Sequence, residues 1–207
     1  MSHRKNSKSG SQESRKRTGQ GNGNGTRRTE APDAVALLTD DHAEVKKDFE
    51  KYDKLGDKAF VSKKKLVDEI CTKLLVHAQI EEEILYPEFA KAVKKEGRDL
   101  EREARVEHAS ARDLIRQLQS MDADEELYDA KVTVLAEYIE HHVKEEEDEM
   151  FPMMRSAGLD TEEMGQRLWE RKQELMEQPE KLLEPDMSGA LSQLQGGREA
   201  ARPGQRA

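Results

Sequence analysis

One cysteine, Cys71, is present in the 207 residues. An intrachain disulfide, a cysteine-only zinc site and an iron–sulfur cluster held by this chain's thiols alone are therefore excluded. Any metal bound here must be held by nitrogen and oxygen. Aromatic residues make up only 4% of the chain. No stretch approaches the roughly 18 consecutive apolar residues of a membrane span, and the N-terminus has no apolar segment of the signal-peptide kind. The expected compartment is the cytoplasm. With 38% charged and 34% hydrophobic residues, the composition supports one domain with a modest core, flanked by tails.

The net charge of -9 is unevenly spread. Residues 1–30 carry eight basic and two acidic residues, a balance of +6, which leaves -15 for the remainder. Phosphates would meet a repulsive field on that remainder, so nucleic-acid binding is disfavoured beyond the basic tail. Residues 1–31 are mostly Ser, Gly, Asn, Gln, Lys and Arg, and cannot bury enough apolar surface to offset the entropy of ordering. They are expected to form a disordered basic tail. Residues 179–207 are rich in Gly and Pro and read as a second flexible tail. The folded unit is expected over 32–178.

Within 32–178 apolar residues recur at alternating steps of three and four, the period of helices with one buried face. The expected fold is all-α, an up-down-up-down four-helix bundle with a short extra C-terminal helix. The helices are placed at about Ala34–Leu55, Phe60–Leu85, Arg98–Ser120 and Asp124–Phe151. Gly97 is expected to close the segment after the second helix, and Pro87 and Pro152 to break or kink their helices, since proline lacks an N–H and clashes with the preceding turn. A fifth helix, about Thr161–Gln178, opens on Asp160-x-x-Glu163, a pattern suited to N-capping.

The second and fourth helices end alike, in HAQIEEEILYP from His77 and HVKEEEDEMFP from His142. Upstream, His42 precedes His77 by 35 residues and His108 precedes His142 by 34, each on the preceding helix. This is a two-fold repeat of a helix pair. Each of these four histidines interrupts an apolar stripe, and Glu81 and Glu146 follow one turn after His77 and His142, where i and i+4 side chains lie about 5–6 Å apart at Cβ. Six polar groups facing one core would each cost roughly 1–3 kcal/mol if unsatisfied, and more for a carboxylate. A cation compensates them directly: imidazoles donate lone pairs and carboxylates bridge or chelate.

Calcium and magnesium prefer oxygen-only sites, whereas iron, manganese or zinc suit four imidazoles with two carboxylates. Two octahedral ions offer twelve positions, of which the six side chains fill eight when both carboxylates bridge. Iron is the preferred reading.

Together, DDHAEV around His42, HAQIEEEILYP, VEHA around His108 and HHVKEEEDEMFP resemble the hemerythrin-like proteins of the HHE cation-binding family over about residues 34–155. The resemblance implies a di-iron centre in a four-helix bundle, with His42, His77 and Glu81 from one helix pair, His108, His142 and Glu146 from the other, and Glu81 and Glu146 as bridges. Two positions differ from oxygen-carrying hemerythrins. These have a further histidine one turn after that of the third helix, where this chain has Arg112. Their last carboxylate falls five residues after the fourth-helix histidine, at Glu147 here, while the internal repeat favours Glu146.

Other residues read more plainly. His141 lies about 100° around its helix from His142; Glu82, Glu83, Glu145 and Glu147 read as a solvated acidic face, and Tyr86, Phe151 and Cys71 as packing residues. Asp41 and Glu107, each preceding a ligand histidine, could orient imidazole N–H groups. No Glu-x-x-His occurs at any histidine, so ferritin-like di-iron ligation is excluded. The expected function is binding of oxygen species or iron, in sensing, buffering or protection under oxidative or iron stress. The alternatives are a di-iron enzyme of catalase or peroxidase type and a metal-free helical interaction module.

Overall fold

The computed structural model describes residues 31–178 and Leu182, so both expected tails lie outside the described residues apart from Ala31 and Leu182. Seven α-helical segments form five rods: α1 (Ala34–Tyr52), α2 (Phe60–Ile80) continued by α3 (Tyr86–Ala92), α4 (Lys95–Ser120), α5 (Tyr128–Glu145) continued by α6 (Phe151–Ser156), and α7 (Thr161–Glu177). No strand occurs among the described residues. The first four rods form the bundle, with α1 packed on α2 and α4 on α5, while α7 lies across α1 and α2. Asp33 caps α1 by accepting from the N–H groups of Val35 and Ala36, and Asp160 caps α7 through the N–H of Glu163 at 3.0 Å.

Neither Pro87 nor Pro152 breaks its rod. Each follows a five-residue π-helical turn, Glu81–Leu85 or Glu146–Met150, closed by an N–H of the next residue (Tyr86 or Phe151) on the carbonyl of the first (Glu81 or Glu146). Proline then sits in the first turn of the following α-helix, where its missing N–H is tolerated. Each π turn also accommodates one extra residue. In an uninterrupted α-helix, at about 100° per residue, Tyr86 would point away from His77; the π turn swings it back, and Tyr86 and Phe151 are both buried.

Two helix starts also differ from the sequence reading. Gly97 does not close a helix but lies buried in the first turn of α4, so close to Val93 that a Cβ there would sit 2.6 Å from Val93 Cγ2. The fourth rod begins at Tyr128 rather than Asp124, because residues 122–127 are spent in turns, with Asp122 N–H on Glu125 Oε1 at 2.8 Å.

The core divides into two apolar layers. One gathers Leu37, Leu38, Val76, Ile80, Phe89, Met154 and Leu168 around α7. The other gathers Val45, Val67, Ile70, Cys71, Ile115, Leu118 and Leu135 at the opposite end. Between them lies a polar layer.

Candidate metal centre

The polar layer holds all six residues singled out by the repeat. His42, His77, His108 and His142 are 4–7% exposed, Glu81 is 0% and Glu146 is 1%. The imidazoles meet in pairs through Nε2, at 3.1 Å for His42 and His77 and 3.0 Å for His108 and His142. Glu81 spans the pairs, with Oε1 3.3 Å from His77 Nε2 and Oε2 3.5 Å from His108 Nε2. Glu146 does the same, with Oε2 3.3 Å from His42 Nε2 and Oε1 3.6 Å from His142 Nε2. Glu147, the alternative carboxylate, points to the other side of His42, where its Oε1 meets Nδ1 at 2.9 Å.

Every Nδ1 faces a carboxylate. His77 meets Asp41 at 3.4 Å, His108 meets Glu82 at 3.0 Å and His142 meets Glu107 at 2.8 Å, completing the set begun by Glu147 on His42. These contacts favour a proton on each Nδ1 and a lone pair on each Nε2. Asp41 and Glu107 thus take the orienting positions expected of them. Glu82 and Glu147 do as well, although they read as solvated acids in the sequence. The overlooked signal is in the repeat: Asp41 and Glu107 each precede a histidine, and Glu82 and Glu147 each follow the inward glutamate. Arg112 donates to Glu82 at 2.7 Å, and its guanidinium, which has no lone pair to offer, gives the centre no metal ligand.

The aromatic residue ending each π turn reaches across the repeat. Tyr86 stacks on His108, with ring centroids 5.5 Å apart, and Phe151 lies parallel to His42 at 6.0 Å. The Tyr86 hydroxyl donates to Glu146 Oε1 at 3.0 Å and lies 3.3 Å from His108 Nε2. Its burial, together with the nearby charges of Glu146 and Glu81, pushes the phenol well above its ordinary pKa, so it remains a donor. This contact with the centre was not legible in the sequence, which marks Tyr86 only as a packing residue.

Cation binding fits these groups. Both oxygens of Glu81 and Oε2 of Glu146 are buried without a hydrogen bond. Facing Nε2 lone pairs about 3 Å apart also need a positive charge between them. Without a metal, protons serve: burial opposes charge on His77 and His142, but the carboxylates outweigh it, holding His77 well above its ordinary value and His142 at about 9. Glu146 is held low against its burial by His142 and His42. A metal ion would replace those protons. The donor atoms fall into two sets, His42–His77–Glu81–Glu146 and Glu81–His108–His142, each within 4.8 Å.

Beside the imidazoles is a small cavity of about 30 Å³, bordered on its apolar side by Val45, Leu74, Ala111, Ile115 and Ile139. That is room for at least one water molecule, which needs about 10–15 Å³ of such space.

Fold and site together define a helical bundle with a buried histidine–carboxylate cluster, a candidate cation site. Residues 33–154 match the family described as the Hemerythrin HHE cation binding domain, and the chain belongs to that family. An uncharacterized hemerythrin-like protein of Schizosaccharomyces pombe is 25% identical over 114 residues, covering 55% of each chain, so the match spans about half the length of that relative. The crystal structure of a Hemerythrin HHE cation binding domain-containing protein from Mycobacterium kansasii superposes with a TM-score of 0.58 at 23% identity, covering 82% of this chain and 96% of that one. That likeness concerns the fold. No helix among the described residues is long and apolar enough to cross a membrane.

Proposed function

We propose that the chain holds two iron ions between its four imidazoles and two carboxylates, and uses this centre to bind oxygen species or iron in sensing, buffering or protection under oxidative or iron stress. His42 and His77 would hold one ion, His108 and His142 the other, with Glu81 and Glu146 shared between them. The observation carrying this reading is Glu81, fully buried with neither oxygen hydrogen-bonded and each directed at a different histidine pair. Left uncompensated, such a carboxylate costs several kcal/mol.

When bound, iron would supply a redox-active Lewis acid held by these six side chains. The chain's own residues do the rest. Asp41, Glu82, Glu107 and Glu147 hold the Nδ1 protons and so fix the imidazoles with Nε2 inward. Val45, Leu74, Ala111, Ile115 and Ile139 give the small cavity beside the imidazoles an apolar wall. Tyr86 offers a buried O–H beside His108. Aerobic reconstitution with ferrous iron should give about two irons per chain and a visible absorption band absent from the metal-free protein. A folded chain that retains no transition metal after reconstitution would sink the proposal.

A further inference from the structure

The internal repeat assigns an equivalent on the first helix pair to each residue of the second. On the first pair, Leu37, Val76, Ile80 and Ile84 form an apolar face packed with Leu168 and Leu175 of α7. Lys172 of α7 also meets Asp41, the carboxylate on His77 Nδ1. The equivalent positions on the second pair are Glu103, His141, Glu145 and Glu149, and Glu107 is the counterpart of Asp41. No helix among the described residues covers this face, and none of these five residues has a lysine or arginine ion-pair partner there. The carboxylate that is paired with a lysine of α7 on one side thus has only histidines as partners on the other.

His141 occupies the position where that charge is missing. It is 63% exposed, and its Nε2 lies 3.6 Å from Glu107 Oε1 and 3.3 Å from Glu145 Oε1. The three donor atoms lie within 4.8 Å of one another. Two donors each about 2.1 Å from one cation at a tetrahedral angle are about 3.4 Å apart, which matches both distances. Glu107 comes from α4, and His141 and Glu145 lie one turn apart on α5, so the backbone already sets the spacing. Glu107 has a second role: its Oε2 accepts from His142 Nδ1 at 2.8 Å, so its two oxygens link this surface group to the buried layer.

We propose that Glu107, His141 and Glu145 form a second, surface site for a divalent transition-metal cation, with water completing its coordination. An imidazole with two carboxylates suits zinc, manganese or ferrous iron better than calcium or magnesium. The site stands apart from the buried centre in its ligands and shares only Glu107, as a neighbour, with it.

Equilibrium dialysis of the full chain against zinc(II), with metal counted per chain, tests this. His141→Ala and Glu145→Gln alter exposed or half-buried side chains and leave the core intact. Each should lose one zinc equivalent relative to the unsubstituted chain, while His141→Asp, which restores a ligand, should retain it. Zinc that persists in His141→Ala belongs to the buried layer, so the two sites are counted separately. Equal stoichiometry and affinity in the unsubstituted chain and His141→Ala would overturn the surface site even if the buried centre fills normally. A His141-dependent equivalent without any other bound zinc would uphold it while counting against the buried centre.

Discussion

The two helix pairs present the same three inward groups, two histidines and a glutamate, but support them differently. Around His42 and His77, the carboxylate Asp41 is backed by Lys172, and α7 seals the outer face. Around His108 and His142, Glu82 is backed by Arg112 and lowered to about 2, since the hydrogen bonds from His108 and Arg112 outweigh burial, while Glu107 has only histidines. The aromatic positions differ too. Tyr86 gives Glu146 a hydrogen bond, whereas Phe151 gives Glu81 none. The repeat therefore dictates where donors sit, and its departures adjust how strongly each is held.

The largest effects should come from the shared carboxylates. Glu81→Ala or Glu146→Ala should reduce metal affinity of both pairs together, by more than the tenfold to about hundredfold typical of outer partners. If metal analysis shows either variant stripping only one pair, the carboxylates do not join the halves. Next in size is Gly165→Ala. A Cβ at Gly165 would lie 2.1 Å from Pro32 O and 2.7 Å from Ala34 N, so α7 must shift away from the start of α1. Overpacking of this kind costs about 1–3 kcal/mol, and thermal unfolding should fall by roughly 4–10 °C; an unchanged midpoint would show that α7 is not tightly docked.

Lys172→Met should act on one side only. Its expected effect is about tenfold weaker metal binding at the His42–His77 pair, with the other pair unaffected, as read by site-resolved spectroscopic titration. Equal weakening of both pairs would show that α7 does not support the two sides differently. Smallest is Tyr86→Phe, which takes from Glu146 its one phenolic donor and should lower metal-free stability by about 1–2 kcal/mol. The mirror change, Phe151→Tyr, offers Glu81 the donor it lacks; denaturant melts of both variants would compare the sides directly.

Much of the fold and the six inward residues were legible because helical period and repeat are local properties: His77 and Glu81 share a face by spacing alone. The π turns were not. Pro87 and Pro152 read as breakers, since a single sequence gives the missing N–H but not the extra residue that accommodates it. For the same reason spacing alone does not reveal the inward swing of Tyr86. Glu82 and Glu147 were hidden differently: among many exposed-looking acids the repeat marks them only as the residues after Glu81 and Glu146, and the approach of a ring nitrogen from another helix, His108 for Glu82 and His42 for Glu147, gives that position its meaning. The role of α7 depends on the pairing of Lys172 with Asp41, 131 residues away, which no periodicity can reveal.

The central claim is that the buried polar layer exists to hold cations, so that a bound metal stabilises the native chain. Anaerobic thermal unfolding at neutral pH, with and without ferrous iron, measures this most directly. At about a hundredfold excess over the dissociation constant, one bound ion adds about 2.7 kcal/mol, so the midpoint should rise by several degrees in the unsubstituted chain and not in Glu81→Ala. Identical midpoints with and without iron in the unsubstituted chain would contradict the account.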